Sequence, residues 1–371
     1  MKTVTWHSFD LRSGRRGPQL VTQEAGEFGR IVSESTEAEV SVSCWDADND
    51  RPRGGWEAGT LQGRVMLVAL DELHEPVWGG MVLRRVSTSG TWVKCTATTL
   101  EHYLDRRYVG DLAFDDKDQA VIAAGVIDGM AVDGLNFTVD AVNTGVRLDR
   151  AFADNEDKTV LSVLTESVAS AESPLEFTVD LEWTDDTKSV LRRILRIRSR
   201  IGTSRPEPVA FTMPGPVRDF TFTEDYSPDF GANDILATSS GEGDARPTSS
   251  RHVATDLLNN GWARFERRFT PATSITDTAQ LDAAAEAELV DMQAGIQQLQ
   301  LEANLDTAPQ INRDFWLGDD VTAVLTCPRF PKYVDADGRL RPGFTRTARC
   351  VGWSVNIANR TLKPTLREIE A

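Results

Sequence analysis

Few residues in this chain of 371 have the types and spacing that reactive chemistry needs. The four histidines, His7, His74, His102 and His252, stand far apart, and none belongs to an H-E-x-x-H pattern or another close ligand pair. His74 and His102 each neighbour a glutamate, but adjacent residues on a strand point to opposite faces, so adjacency has no geometric force. A G-x-S-x-G elbow, a P-loop and a dinucleotide fingerprint are all missing. The acidic pairs Asp46 with Asp48 and Asp335 with Asp337 could bind calcium or act as glycosidase carboxylates. Neither continues as an EF-hand loop, since the first runs into Arg51-Pro52-Arg53 and the second into Arg339. Short acidic side chains mimic backbone turns, which is the commoner role for such pairs. Cys44, Cys95, Cys327 and Cys350 are widely separated; three of them sit in alternating apolar patterns that suit small buried thiols rather than a zinc site or a disulfide framework. The chain is expected not to be an enzyme, and it is assigned no catalytic residue, cofactor or metal.

One charged cluster remains. The run SVLRRILRIRSRIG puts Arg192, Arg193, Arg196, Arg198 and Arg200 within a dozen residues of a protein whose net charge is −17 and whose isoelectric point is near 4.8. Read as a strand from Leu195, it places Leu195, Ile197, Ser199 and Ile201 on one face and Arg196, Arg198 and Arg200 on the other. Those three arginines form a candidate interaction face for DNA, an acidic neighbouring subunit or a host glycan. A solvated or salt-bridged strand face is the commoner meaning of such a run. Trp45 and Trp56 flank an acidic loop and could stack on a sugar ring, though tryptophan in alternating strands is more often core.

The elements that would position these groups are mostly strands. Apolar content of 40% with nine Trp and fifteen Phe argues for globular folding, and the length suits two or three domains. No apolar run approaches the ~20 residues of a membrane helix, and the N-terminus lacks the pattern of a signal peptide. Stable membrane insertion is therefore not expected. The acidic balance disfavours a long contact with nucleic-acid phosphates.

Residues 1–111 alternate as a β-meander, with RVMLVAL nearly continuous in apolar residues and PVWGGMVLRRV offering two faces. Residues 112–183 read as an α+β insertion. It has a helix opened by an Asp116–Gln119 capping box, a second helix over 158–169, and a strand with Leu175, Phe177, Val179 and Leu181 inward. Residues 184–216 read as a connecting strand followed by a proline-rich linker, PEPVAFTMPGPV. Residues 217–371 return to strands around a helix at 278–292, where Asp277 is the cap and Leu281, Ala284, Ala285, Leu289 and Met292 form the apolar stripe. That helix should lie on a sheet, Gly318 should permit a bend into Val321, and residues 239–252 should be a polar mobile loop.

The order of LDAAAEAEL helix, strand and GDDV turn near the C-terminus, together with the PVWGG strand and the LEHYLDRRYV segment near the N-terminus, resembles the tail-tip hub proteins of long-tailed bacteriophages. These are also called minor tail or baseplate hub proteins. The resemblance implies a mainly β, multidomain fold with an α+β insertion and two β-barrel or sandwich domains of the tail-tube type. It implies a homotrimer whose paired β-domains make a pseudo-sixfold ring, matching a hexameric tail tube above and a threefold tip below. The implied partners are a distal tail or tail tube protein, a tip or fibre protein and a tape measure protein, with DNA met only in transit. The implied location is the virion tail tip, after assembly in the host cytoplasm. A receptor- or carbohydrate-binding minor tail protein and a cell-wall hydrolase are the alternatives.

Overall fold

Alternating apolar residues over the first hundred positions do fold as a meander. In this computed structural model, residues 3–23, 26–169, 173–239, 246–271 and 277–368 are described. The first strands are β1 (Thr5–Asp10), β2 (Arg16–Gln19), β3 (Glu27–Ile31) and β4 (Glu37–Ser43). A short hairpin of β5 (Trp45–Asp46) and β6 (Arg51–Pro52) precedes β7 (Val65–Leu70), β8 (Pro76–Ser87) and β9 (Trp92–Thr99). Six of them make an antiparallel sheet in the order β2-β1-β7-β8-β9-β4. Every residue of β7 is buried, which explains its continuous apolar sequence: both faces of the sheet are covered. In β8 both expected faces are buried as far as Val82. The register against β9 then skips Leu83, a bulge that turns this leucine outward and breaks the expected alternation.

One face of this sheet supplies Phe9, Met66, Val68, Leu70 and Met81 to a core that continues through residues 112–197. That region contains β10 (Leu112–Asp118), α1 (Gln119–Gly129), β11 (Thr138–Ala141) and β12 (Arg147–Phe152). It goes on through α2 (Val160–Ser162), extended by a π-helical turn to Val168, and ends in β13 (Glu176–Trp183) and β14 (Leu191–Arg198). The segment read as an insertion thus shares its core with the first sheet. Leu175, Phe177 and Val179 are buried as expected. The cap of α1 is displaced: Asp118, not Asp116, accepts from Ala120 N–H, and also from the N–H groups of Thr144 and Gly145. Asp116 lies outside the helix in β10, at positive φ, and pairs with Arg147. Val121 accordingly faces solvent while Ala123 and Ile127 join Ile122 and Val126 inside.

The proline-rich stretch is not a linker. Its centre is β15 (Val209–Met213), paired in parallel with β21 (Asp320–Leu325), and Pro208 and Pro214 stand just outside the strand, where a missing N–H costs no ladder bond. The chain divides into two compact units, residues 1–219 with 301–371, and residues 220–300. It leaves the first along β16 (Val217–Asp225). The second unit holds β17 (Asp234–Ala237), β18 (His252–Val253), α3 (Thr255–Asn259), β19 (Glu266–Phe269) and α4 (Thr278–Met292). Asp277 caps α4 by accepting from Ala279 N–H, and Leu281, Ala285 and Met292 pack on Ile235 and Ala237, so the helix lies on a sheet. Of the loop over 239–252, residues 240–245 lie outside the described residues.

The chain returns along β20 (Ile296–Asn304) and continues through β21, the small hairpin β22 (Tyr333–Val334) and β23 (Leu340–Arg341), then β24 (Phe344–Asn356) and β25 (Thr361–Glu368). These complete a second large sheet in the order β15-β21-β24-β25-β20-β16, which β3 joins by pairing with β24. Gly318, at φ +86°, makes the expected bend into β21, and a Cβ there would strike the Ile201 carbonyl oxygen at 2.2 Å. The expected segments 1–111, 112–183 and 184–216 all fall within the first unit, and 217–371 is divided between the two. The boundary at residue 183 lies at the turn of the β13–β14 hairpin.

Candidate functional site: an arginine and carboxylate ribbon

The apolar side chains of β13 and β14 point into the core, which leaves their alternate positions for charge. On β13 these are Glu176, Thr178, Asp180 and Glu182; on β14 they include Arg192, Arg196 and Arg198. The antiparallel register sets Glu176 opposite Arg198, Thr178 opposite Arg196 and Glu182 opposite Arg192. Arg196 is the hub. Its Nε donates to Asp180 Oδ2 at 2.6 Å, Nη1 to Asp140 Oδ2 at 2.8 Å, and Nη2 to Glu182 Oε1 at 2.8 Å. Arg198 also reaches Asp140, and Arg192 reaches Glu182, each at 2.8 Å. Arg200, beyond the strand end, donates to the buried Asp320 of β21 at 2.5 Å. Arg193 points the other way and is buried, donating to the carbonyls of Leu11, Arg12 and Asn136.

Two further arginines tie this ribbon to the rest of the first unit. Arg30 of β3 donates to Asp180 Oδ1 at 2.9 Å and to the Val179 carbonyl at 2.8 Å. Arg349 of β24 grips both carboxylate oxygens of Glu176 and donates to the Ile201 carbonyl at 2.6 Å. Burial works to raise the Asp180 pKa, but the Arg30 and Arg196 guanidiniums outweigh it and hold the carboxyl below its usual range. Beside the ribbon, β3 inserts Phe28 between Trp6 and Trp78 of the first sheet and Trp353 of the second, with ring centroids 5.6 to 6.4 Å apart. These edge-on rings are buried, so this tryptophan cluster is core.

A cleft of about 400 Å³ opens along the ribbon, lined by Arg30, Trp78, Glu101, Asp180, Arg196 and Trp316 among others. Its carboxylates are committed. Asp180 and Glu182 hold arginines, Glu75 pairs with Lys188 at 2.7 Å, and Glu101 accepts the Val179 N–H at 2.8 Å. Burial pushes the Cys350 thiol up to about 12 and the Cys95 thiol up to about 11, which keeps both unreactive. Asp335 accepts from the N–H groups of Asp337 and Arg339, and Asp46 accepts from Asn49, as turn-forming residues do. Trp56 is half-buried beneath the Arg85 guanidinium, 5.9 Å from its ring centroid.

The structure therefore brings Arg196 and Arg198 together on one strand face, as expected, with Arg200 just past its end, and pairs each with a carboxylate of the same chain. The partners Asp140, Asp180, Glu182 and Asp320 were missed. A signal for two of them exists: the outward positions of LEFTVDLEW are acidic at the same period of two at which the next strand is basic. Asp140 and Asp320 come from segments whose pairing no local pattern announces.

Neither a family model nor a curated protein matches the sequence. Solved structures do match its fold. A 43 kDa tail protein of prophage MuSo2 from Shewanella oneidensis superposes with a TM-score of 0.59 at 11% identity, covering 98% of each chain. A tail protein from Neisseria meningitidis MC58 gives 0.55 at 14% identity over 98% of this chain and 96% of that one. A chain of the Francisella PdpA–VgrG complex gives 0.50 at 9% identity, over 99% of this chain and 54% of that one. The chain has the mainly β fold of phage tail proteins.

Proposed function

We propose that this protein is a structural virion component, a trimeric tail-tip hub that joins the tail tube to the tip or fibre apparatus and forms part of the channel through which DNA leaves. The observation that carries this reading is the match along nearly the whole length of both chains to two tail proteins, one of them of a prophage. The internally neutralised arginine ribbon supports it, because a ring under mechanical load needs its sheets locked to one another. A net charge of −17 supports it too, since an acidic lumen lets DNA slide without adhering. In this reading the chain is not an enzyme. Its partners are its own copies, a distal tail or tail tube protein and a tip or fibre protein. Native mass measurement of the protein with its tail tube partner tests the proposal: three copies per assembly are expected, and a monomer both alone and with the partner would count against it.

A second reading, carbohydrate or receptor binding, draws on unit 220–300. There Trp262 and Phe265 stand edge-on to Tyr226 with centroids 5.2 Å away, and both rings remain partly open to solvent. Glycan-array binding that is lost in Trp262→Ala would favour it.

A further inference from the structure

The cleft beside the ribbon holds one charged group that the ribbon leaves without a counter-ion. Three carboxylates on its walls face a cation of the same chain: Glu75 meets Lys188, Asp180 meets Arg30 and Arg196, and Glu182 meets Arg192 and Arg196. Glu101, on the same walls, meets none among the described residues, although it is only 3% exposed. It sits in the first turn of the 3-10 helix Leu100–Arg106. Its Oε1 accepts from the Val179 N–H at 2.8 Å and from the Thr178 hydroxyl at 3.3 Å, while its Oε2 accepts from no described residue. The Arg30 guanidinium stops one group short, since its donors go to Asp180, the Thr178 hydroxyl and the Val179 carbonyl. A carboxylate so deeply buried is rarely left without a cation, because neutral hydrogen bonds alone offset little of the cost of desolvating it.

The rest of the cleft narrows which cation could fill that place. A divalent metal ion would need several more oxygens, and both oxygens of Asp180 and of Glu182 are already held by arginines. A guanidinium is a fork that two acceptors satisfy, whereas an ammonium is a compact charge that a single oxygen can hold. Glu101 offers a single oxygen. Val77, Leu100 and Leu181 make part of the wall apolar, which suits the methylenes that carry an ammonium. Trp316 adds an aromatic wall; it is 44% exposed and is braced by the Arg205 guanidinium 5.2 Å from its ring centroid. A volume of about 400 Å³ has room for such a stem.

We propose that this cleft binds an alkylammonium group, a primary amine on an unbranched aliphatic stem, with the ammonium on Glu101 Oε2 and the stem along Leu181 and Trp316. A small diamine and the lysine side chain of another protein carry the same group. Every residue of the site belongs to one compact unit of one chain, so it stands apart from the trimer and does not need it.

The test is isothermal titration calorimetry of the full chain at about 150 mM salt, which screens diffuse attraction to an acidic surface. The probes are cadaverine, Nα-acetyllysine amide and Nα-acetylarginine amide. At least one of the first two is expected to bind with a dissociation constant below about 1 mM. Glu101→Gln keeps an oxygen for the Val179 N–H but replaces the charge, and should weaken that binding at least about tenfold. Trp316→Ala changes an exposed ring and should weaken it about threefold, with the melting midpoint of the parent protein. The arginine amide should bind more weakly than whichever amine binds. Cadaverine alone binding assigns the site to free amines, the lysine amide alone assigns it to a partner's side chain, and both together uphold the shared chemistry. Binding by neither amine up to about 10 mM overturns the proposal. So does an affinity that a folded Glu101→Gln leaves unchanged; if that variant does not fold, an unchanged affinity in Trp316→Ala overturns it instead. An arginine amide that binds as tightly as the amines overturns the choice of an ammonium.

Discussion

The guanidinium of Arg349 is buried, and all its bonds run to groups from distant parts of the chain: Glu176, the Ile201 carbonyl and the Gly318 carbonyl. Removing one partner of such a pair strands a desolvated charge, which costs far more than the pair itself contributes. Glu176→Ala is expected to lower unfolding free energy by about 3 kcal/mol, and Arg349→Met combined with Glu176→Leu to recover most of it. Urea titration checks this, and a loss under about 1 kcal/mol in the single variant would show that the site is hydrated rather than closed. His7 makes a second residue-scale prediction. Burial, then the Arg16 guanidinium and His74, push its pKa down to about 4, and Arg16 donates to its ring at 3.1 Å. The folded state then binds fewer protons than the unfolded chain between pH 4 and 6.5, so stability must fall as pH drops through that window. The loss is at most about 3 kcal/mol, and His7→Gln should flatten it. Urea midpoints for both proteins at several pH values between those limits measure the slope. Asp180 acts in the same direction at lower pH: its depressed pKa contributes stability above the ordinary carboxylate range that is lost as pH falls through the folded value.

Among the elements, α1 separates what local sequence can say from what it cannot. A capping-box spacing at Asp116 and Gln119 is a genuine helix-start pattern, yet the strand β10 runs on to Asp118, because pairing with β12 claims those residues first. Asp118→Ala is expected to cost about 2 kcal/mol, since it loses a cap, and Asp116→Asn, which keeps a side chain that tolerates the positive φ and loses only an exposed ion pair, to leave stability unchanged. Thermal or urea unfolding of the two variants measures the difference, and equal losses would contradict this capping assignment. The α4 cap at Asp277 and its stripe were legible because nothing non-local competes there. RVMLVAL was legible as a strand, and its burial on both faces follows from its continuity. The β15 pairing was not, since prolines at both ends hide five residues that bond in parallel to a strand more than a hundred positions away. The arginine run was legible as a strand face, whereas its role depends on carboxylates brought by β11, which pairs with β14, and by β21, which no period reveals.

At the scale of the molecule, β3 is the element that makes one body of the first unit. It leaves the N-terminal meander, pairs with β24, drives Phe28 into the tryptophan cluster and lends Arg30 to the ribbon. The fold that the chain shares with a prophage tail protein runs along 98% of its length. The proposed hub role is tested most directly by a symmetry-resolved electron image of the assembled tail tip containing this protein. The account predicts three copies in a closed ring at the end of the tail tube, with the channel passing through their centre. Single copies attached to the side of the tail, or a tip that forms without the protein, would contradict it.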